Sequence, residues 1–135
     1  LLDRAKKLLL FLCEAAAQKY GAAVEEEQDI LGPLSNIAIE VYAMDSGLLR
    51  ALKAIETVGE QRSKTKADMV SLYVNDAMHR IIGYAQQILT TMETGDSLHN
   101  QLEMLRRLSH FTPVSVAQLR HNIADEIIEA GRYSC

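Results

Sequence analysis

The first twenty residues carry apolar side chains at steps of three and four, the spacing of an amphipathic α-helix. One stripe consists of Leu1, Ala5, Leu8, Leu12 and Ala15, and a second stripe of Leu2, Leu9, Ala16 and Tyr20 lies beside it. The combined apolar arc is wider than a surface helix needs. Gly21 is the predicted end of this helix.

A long second helix is predicted over residues 29–58, because its apolar seam is close to a heptad, the period of bundle helices that pack at a shallow angle. The seam consists of Ile30, Leu34, Ile37, Val41, Met44, Leu48, Leu52 and Ile55. The acidic run 25–27 lies just ahead of it, where the positive end of a helix dipole favours negative charge. Gly32 and Pro33 interrupt the first turns, so the sequence predicts either a helix start near Pro33 or a kink there.

A polar turn is predicted over residues 59–64, and a third helix follows it. Thr65 and Asp68 have the spacing of a capping box at its start, and Gly95 is its predicted end. The seam of the third helix consists of Met69, Leu72, Val74, Ala77, Ile81, Ala85, Ile88 and Met92.

Two shorter helices complete the predicted chain. The fourth spans residues 97–109 with Asp96 as its N-cap, and the fifth opens at Thr112 and Pro113 and ends at Gly131. Their inward residues are Leu98, Leu102, Leu105 and Leu108, then Val116, Leu119, Ile123, Ile127 and Ala130. No segment has the two-residue period of a strand. The sequence therefore predicts an all-α antiparallel bundle of four to five helices, with residues 1–135 forming a single helical domain.

Composition narrows the classes of function. The chain has 135 residues, of which 48% are hydrophobic and 24% are charged, with 7 Gly and 2 Pro, and this excludes disordered and low-complexity classes. Only 5% of the residues are aromatic and none is Trp, so a stacking platform for single-stranded nucleic acid is not expected. The formal net charge of −4 argues against binding to a phosphate backbone. We therefore expect no nucleic-acid partner.

The two cysteines, Cys13 and Cys135, lie near opposite ends of the chain without metal-binding spacing. The apolar neighbours of Cys13 predict a buried free thiol, which fits a reducing compartment. The longest apolar run, residues 8–13, is far shorter than the about 18 residues of a membrane span. The chain begins with Leu1 within a helical pattern and shows no signal peptide, so we expect a fragment of a longer protein.

A carboxylate-bridged di-metal site is the first enzyme hypothesis for a helical bundle, and it requires Glu-x-x-His on two helices. The sequence offers only Asp76-x-x-His79 and Asp96-x-x-His99, and its four histidines are scattered at one per element. It also has no nucleophile elbow, no phosphate-binding glycine-rich loop and no Cys–His arrangement. The sequence therefore predicts no metal ligand and no catalytic residue.

One polar cluster between the second and third helices remains. If these helices are antiparallel with their turn near residue 61, Glu40 lies near Gly83, about one turn from His79, and Gly47 lies near Asp76. Glycine on each helix would let the two backbones approach closely. A hydrogen bond between Glu40 and His79 is one interpretation, and two separately solvated or locally bonded side chains are the other.

The last third of the chain is mildly basic. The cationic side chains are Arg106, Arg107, Arg120 and Arg132, with His99, His110 and His121 among them. One interpretation is a patch for phosphate or anionic headgroups. The other is a solvated face with ion pairs to Glu103, Asp125, Glu126 and Glu129. Of the pairs within the last helix, only Glu129 and Arg132 have a suitable spacing.

The chain also has more apolar surface than a small bundle needs to bury. Residues 8–13 are hydrophobic all round the first helix, and Tyr42, Tyr73 and Tyr84 add amphipathic side chains. Either the first helix is central and fully covered, or it docks on another domain or subunit. Attachment to a membrane surface is a third interpretation, weakened by the scarcity of Lys/Arg-rich polar faces and the absence of Trp.

Three stretches resemble a known family. The second helix carries the run Glu27-Gln-Asp-Ile-Leu-Gly-Pro-Leu-Ser-Asn-Ile-Ala-Ile-Glu-Val-Tyr-Ala-Met44, continued by Leu48-Leu-Arg-Ala-Leu52. It resembles the extra C-terminal helical domain of acyl-CoA dehydrogenases of the very-long-chain type. Two closing stretches are similar to the tails of bacterial members, namely Leu105-Arg-Arg-Leu-Ser-His-Phe-Thr-Pro-Val114 and Ile123-Ala-Asp-Glu-Ile-Ile-Glu-Ala-Gly-Arg-Tyr133. The Gly32-Pro33 pair departs from the uninterrupted helix of mitochondrial relatives.

The resemblance implies a parent enzyme that binds FAD and oxidises acyl-CoA thioesters to trans-2-enoyl-CoA. In that family a glutamate removes the α-proton while flavin N5 accepts the β-hydride. Both belong to a preceding catalytic core, and none of the core's motifs matches a position here. The resemblance therefore implies no catalytic, cofactor-binding or metal-binding residue in this chain, and FAD only in the parent enzyme.

The appended domain of that family packs on the core of the dimer and assists oligomer formation or membrane association. The resemblance thus implies a non-catalytic module whose first and second helices form the docking face. Its expected partner is the catalytic core of the parent in a homo-oligomer, in the bacterial cytoplasm, with peripheral membrane contact as a further option. The alternative is an independent helical adaptor that binds a partner protein through the same apolar face.

Overall fold

The structure, a computed structural model, describes residues 1–131. Five α-helices and a 3-10 turn follow one another along this range: α1 Leu2–Tyr20, the turn Gly21–Glu26, α2 Gln28–Val58, α3 Glu60–Met92, α4 Gly95–Ser109 and α5 Val116–Ala130. The described range contains no strand. The prediction of an all-α helical bundle is confirmed, as are α1 and its end at Gly21, whose φ is 55°.

The two longest helices, α2 and α3, form an antiparallel hairpin joined at one residue. Gly59 has φ 87° and ψ 161°, a backbone conformation that only glycine adopts without strain. The predicted polar turn over 59–64 and the capping box at Thr65 are therefore wrong, because α3 begins at Glu60. A single glycine reverses the chain, so the polar residues that follow it enter the first turns of α3.

The long helix α2 passes through Pro33 rather than starting there. It begins at Gln28, and Glu27 accepts the first two hydrogen bonds, from the N–H groups of Ile30 and Leu31. Pro33 is buried, and its ring deprives only the Asp29 carbonyl of its usual donor. The start near residue 33 is wrong, and the kink stays a prediction. The burial of the first turns against their neighbours outweighs one missing hydrogen bond.

The α3–α4 junction also differs from its prediction. Thr94 precedes α4, so Asp96 lies in the first turn rather than at the N-cap, and no side chain caps this helix. Gly95, with φ 60°, begins α4 instead of ending α3, which ends at Met92. A glycine with positive φ fits a helix end or a helix start equally, and the sequence pattern does not tell the two apart.

The start of α5 lies a few residues later than predicted. Ser115 is its N-cap, and the Ser115 hydroxyl accepts a hydrogen bond from the N–H of Gln118 at 3.4 Å. Pro113 lies in the non-helical segment before it, because a proline keeps the preceding residue out of the helical region. The predicted end at Gly131 is confirmed, with φ 62°.

The hydrophobic core lies where α1 packs on α2 and α3, with α4 against α1 and α3. Its fully or nearly buried members are Ala5, Leu8, Leu12, Ala16, Ile30, Leu34, Ile37, Val41, Met44, Ala77, Met78, Ile81, Ala85, Ile88, Leu89, Met92 and Leu105. Helix α5 contacts α3 alone among the described helices and buries none of its residues. The predicted inward face of α5 is thus only half-buried, and Ala130 is exposed.

The apolar seams are buried over only part of their predicted length. Leu48 and Leu52 of α2 remain 38% and 47% exposed, while Ala51 is buried instead. In α3, the first three seam residues are half-buried and the remaining five are buried. Helix α1 has 19 residues and α2 has 31, so α1 cannot cover α2 to its end.

Helix α1 is not covered all round. It packs on three helices, yet Leu10 is 69% exposed. The interpretation of a fully covered central helix is therefore wrong. Among the described helices, none is long and apolar enough to cross a membrane.

Candidate functional site

Glu40 of α2 accepts three hydrogen bonds from two side chains of α3. Arg80 donates from Nε to Oε1 at 2.6 Å and from Nη2 to Oε2 at 2.9 Å, and Tyr73 donates from its hydroxyl to Oε2 at 2.7 Å. The guanidinium carbon of Arg80 lies 5.5 Å from the centroid of the Tyr73 ring, within the range of a cation–π contact. These contacts fix how α2 and α3 are aligned, because a bidentate pair tolerates little displacement.

The contacts shift the pKa of each group in this cluster away from neutral pH. Hydrogen bonds from Arg80 hold the pKa of Glu40 below its ordinary range, against the opposing effect of partial burial. Burial and the hydrogen bond to Glu40 raise the pKa of Tyr73, and the hydrogen bond to Glu40 also raises the pKa of Arg80. A general acid or base needs a pKa near the working pH. Glu40 and Arg80 therefore remain charged at neutral pH, and their contacts hold the two helices together.

His79 does not reach Glu40, so the interpretation of a hydrogen bond between them is wrong. Its Nδ1 lies 2.8 Å from the carbonyl oxygen of Asn75, one turn earlier in α3, and its ring meets Phe111 edge-on at 5.3 Å. The other interpretation, a locally bonded side chain, is confirmed for His79. Glu40 is bonded too, but to Arg80 and Tyr73, neither of which was the predicted partner.

The register of the α2–α3 hairpin also differs from its prediction. With the turn at Gly59 rather than near residue 61, Gly47 lies opposite Val70 instead of Asp76, more than one helical turn away. A Cβ at Gly47 would meet Val70 at 3.7 Å, which is ordinary contact, and a Cβ at Gly83 would meet nothing within 4 Å. The predicted close approach of the backbones at these glycines is therefore wrong.

Asn75 ties the segment between α4 and α5 to α3. Its side chain is buried, and its Oδ1 accepts a hydrogen bond from the N–H of Val114 at 3.2 Å. Arg120 of α5 lies 3.9 Å from Asp76 of α3, a weak ion pair because both side chains are accessible to solvent. No local sequence pattern indicates this junction, because it joins residues 39 positions apart.

Between Glu40 and the turn at Gly59, the α2–α3 hairpin carries a continuous open groove. Its outer part has a volume of about 500 Å³ and is lined by Gly47, Arg50, Ala51, Lys53, Ala54, Thr57, Val58, Lys66, Met69 and Val70. A second part of about 720 Å³ shares residues with the first and adds Tyr42, Ala43, Ser46 and Tyr73. We call the two parts together the hairpin groove. The cationic side chains of Arg50, Lys53 and Lys66 line the groove, and its lining contains no carboxylate.

Exposed apolar side chains are concentrated on α2. Within residues 1–131, twelve large apolar side chains are exposed, and six of them belong to this helix: Ile39, Tyr42, Leu48, Leu49, Leu52 and Val58. Tyr42 is 75% exposed and Ile39 is 64% exposed. Tyr42 and Leu49 lie seven residues apart on the same side of this helix, and neighbouring exposed apolar side chains are typical of an interface.

Among the described residues, no cluster of three or more His, Cys, Asp or Glu side chains could hold a metal ion. In the basic region, Arg106 pairs with Glu103 at 2.9 Å and Arg120 with Asp76, which favours the interpretation of a solvated, ion-paired face. Arg132 lies outside the described residues, and with it the predicted pair with Glu129.

Cys13 is free but exposed, so the prediction of a buried thiol is wrong. It lies on the face of α1 that carries Leu10, opposite the buried Leu8 and Leu12. Partial burial still raises the pKa of this thiol, which makes it a weak nucleophile at neutral pH. Cys135 lies outside the described residues.

Comparison with known proteins identifies the family. The model of the acyl-CoA dehydrogenase C-terminal domain matches residues 4–107. The chain belongs to this family. The resemblance inferred from the second helix is therefore confirmed.

Two relatives of this C-terminal domain match nearly the whole chain. A probable acyl-CoA dehydrogenase from Bacillus subtilis (strain 168) is 40% identical over 134 residues, which is 99% of this chain and 23% of that protein. The crystal structure of an acyl-CoA dehydrogenase complexed with FAD from Bacillus anthracis superimposes with a TM-score of 0.93 at 38% identity, covering 98% of this chain and 23% of that one. This acyl-CoA dehydrogenase domain thus spans about a quarter of the length of the relatives it matches.

The described part of this acyl-CoA dehydrogenase domain does not fit a flavin. A flavin site requires a shaped, largely enclosed pocket with polar groups that contact the ring and the phosphates. The hairpin groove is open, and along its outer part the lining is mostly apolar. The hairpin groove therefore lacks the enclosure that a flavin site needs.

Proposed function

We propose that this chain is the non-catalytic C-terminal helical domain of a longer, FAD-dependent acyl-CoA dehydrogenase, with residues 1–135 as one domain. The parent enzyme oxidises acyl-CoA thioesters to trans-2-enoyl-CoA. The observation that carries the proposal is the match of nearly the whole chain to about a quarter of two acyl-CoA dehydrogenases. The absence of a group poised for proton transfer in the Glu40 cluster supports the same assignment.

The proposed partner is the catalytic core of the same parent, and the proposed docking face lies on α2 with a contribution from α1. Tyr42 lines the hairpin groove, exposed Ile39 lies about one turn before it on α2, and Leu10 is the exposed apolar residue of α1. Aromatic and aliphatic side chains at the centre of an interface contribute most of its binding energy. The catalytic core of the parent is therefore expected to cover Tyr42.

The proposed parent is a homo-oligomer, because in this family the domain packs on the core of a dimer. Its proposed location is the bacterial cytoplasm, in keeping with the bacterial relatives. Peripheral membrane contact is retained only as a secondary role. An independent adaptor is disfavoured because both relatives are four times longer than this chain.

The proposal is tested on the full-length parent enzyme with two sets of variants. His79→Gln and His99→Gln are expected to leave the kcat of acyl-CoA oxidation unchanged, because neither histidine takes part in the chemistry. Tyr42→Asp is expected to lower the melting temperature of the parent and to speed proteolytic release of the domain. The matched control is Ile128→Asp on α5, since Ile128 is also 75% exposed.

Two results would contradict the proposal. A loss of kcat in either histidine variant without a loss of stability would place chemistry in this domain. Equal effects of Tyr42→Asp and Ile128→Asp would show that α2 is not the docking face.

A further inference from the structure

Three exposed leucines continue the apolar surface of α2 around the level at which α1 begins. Leu48, Leu49 and Leu52 are 38%, 61% and 47% exposed, and we call them the leucine patch. The stripe that packs on α1 runs along Ile30, Leu34, Ile37 and Val41, all of them buried. Leu48 and Leu52 continue this stripe at helical spacing. The patch is therefore continuous with the α1–α2 interface.

The ion pair between α1 and α2 shows the level on α2 at which α1 begins. Lys6 Nζ lies 3.3 Å from Asp45 Oδ1, and the two helices run antiparallel. At a rise of about 1.5 Å per residue, Leu1 lies about 7.5 Å from the level of Lys6, and Leu52 lies about 10.5 Å from the level of Asp45. Leu52 is thus only about 3 Å beyond the level of Leu1.

No other described helix covers the patch. Among the described elements, α2 contacts only α1, α3 and the 3-10 turn at its own beginning. Helix α4 packs on α1 and α3, and α5 packs on α3 alone. Leu1 itself is 40% exposed at the same level, so the apolar surface spans the two helices where α1 begins.

We propose that the residues directly upstream of Leu1 in the parent enzyme lie across the leucine patch and complete the α1–α2 interface. This inference rests on the proposed function, because a longer parent chain supplies those residues. About ten residues span about 15 Å as a helix and up to about 33 Å when extended, so either conformation crosses the patch. The segment carries apolar side chains toward Leu48 and Leu52.

The test is site-specific photo-cross-linking in the full-length parent enzyme. A benzophenone amino acid replaces Leu52 in one variant and Tyr42 in the other, and mass spectrometry identifies the linked peptides. From position 52 we expect links to a peptide within about twenty residues upstream of Leu1. From position 42 we expect links to the catalytic core, which tests the proposed function separately.

Links from position 52 to a distant core peptide, to a second subunit or to nothing at all would overturn the inference. Links from position 42 to nothing, together with upstream links from position 52, would overturn the docking face and leave the present inference standing. As a second measurement, a Gly-Ser linker of equal length replaces the upstream segment. Hydroxyl-radical oxidation of Leu48 and Leu52 is then expected to rise several-fold, while that of Met104 on α4 stays the same, and unchanged rates at the two leucines would contradict the inference.

Discussion

Arg80 donates hydrogen bonds to Glu40 from Nε at 2.6 Å and from Nη2 at 2.9 Å across the α2–α3 interface. The carboxylate side chain is only 14% exposed, and the guanidinium side chain is 42% exposed. The pair is therefore partly shielded from solvent and is the strongest polar contact between the two longest helices.

Replacing Glu40 with Gln is expected to lower the free energy of unfolding of the 135-residue chain by about 1 to 2 kcal/mol. Charged hydrogen bonds contribute at this level, and the exposure of Arg80 keeps the loss at the low end. Urea unfolding followed by circular dichroism measures the change. The matched control is Glu103→Gln, because the Glu103–Arg106 pair is exposed and is worth less than about 0.5 kcal/mol. Equal losses in both variants would argue against a special role for the Glu40 pair.

The stabilisation by Glu40 is expected to disappear in acid. The pKa of Glu40 is lower in the folded chain than its ordinary value of 4.5, so the carboxylate stabilises the fold above pH 4.5. This contribution is lost as the pH falls through the folded pKa. The difference in unfolding free energy between the wild type and Glu40→Gln should therefore shrink from pH 7 to pH 3. A difference that stays constant over this range would show that the charge of Glu40 is not responsible.

Local sequence patterns predicted the helices well and their ends poorly. The three- and four-residue spacing of α1 and the seam from Ile30 to Met44 were sufficient, because burial of an apolar stripe dominates helix placement. Gly59 was anticipated only as part of a longer turn, since polar residues such as Glu60 and Lys64 suit a loop and an exposed helical turn equally. Whether the residues after a glycine with positive φ form a loop or a new helix depends on tertiary packing.

The partner of Glu40 could not be predicted from the same patterns. His79 and Arg80 are consecutive residues of α3 and lie about 100° apart around the helix. Only the packed structure shows that Arg80 faces the Glu40 carboxylate, while His79 faces Asn75 and Phe111. Likewise, the exposure of Leu52 depends on where α1 begins and not on the seam of α2. The candidate docking face was foreseen as excess apolar surface, but its location required the packed helices.

Asn75 should control the docking of α5. Asn75→Ala removes the acceptor for the Val114 N–H, and the loss of one such hydrogen bond costs about 1 kcal/mol. Amide hydrogen exchange at Val114 and along α5 is expected to speed up about fivefold, while α1 is unaffected. Asn100→Ala on the exposed side of α4 is the control and should change neither. Unchanged exchange along α5 in Asn75→Ala would contradict the assignment.

Two glycines are expected to respond in opposite directions to alanine. Gly59→Ala should lower the free energy of unfolding by about 1 to 3 kcal/mol, because a Cβ is strained at φ 87°. Gly83→Ala should raise it by about 0.5 to 1 kcal/mol, because Gly83 lies within α3 and a Cβ there meets nothing within 4 Å. Urea titration of both variants provides the measurement. A stabilising Gly59→Ala would contradict the single-residue turn.

The most direct test of the docking claim compares side-chain accessibility in the 135-residue chain and in the full-length parent enzyme. Hydroxyl-radical oxidation followed by mass spectrometry reports it at Ile39 and Tyr42 of α2, with Met104 of α4 as the internal reference. The account predicts that Ile39 and Tyr42 are oxidised several-fold more slowly in the parent, while Met104 is oxidised at the same rate in both. Equal rates at Tyr42 in the two proteins would contradict the claim that α2 docks on the catalytic core.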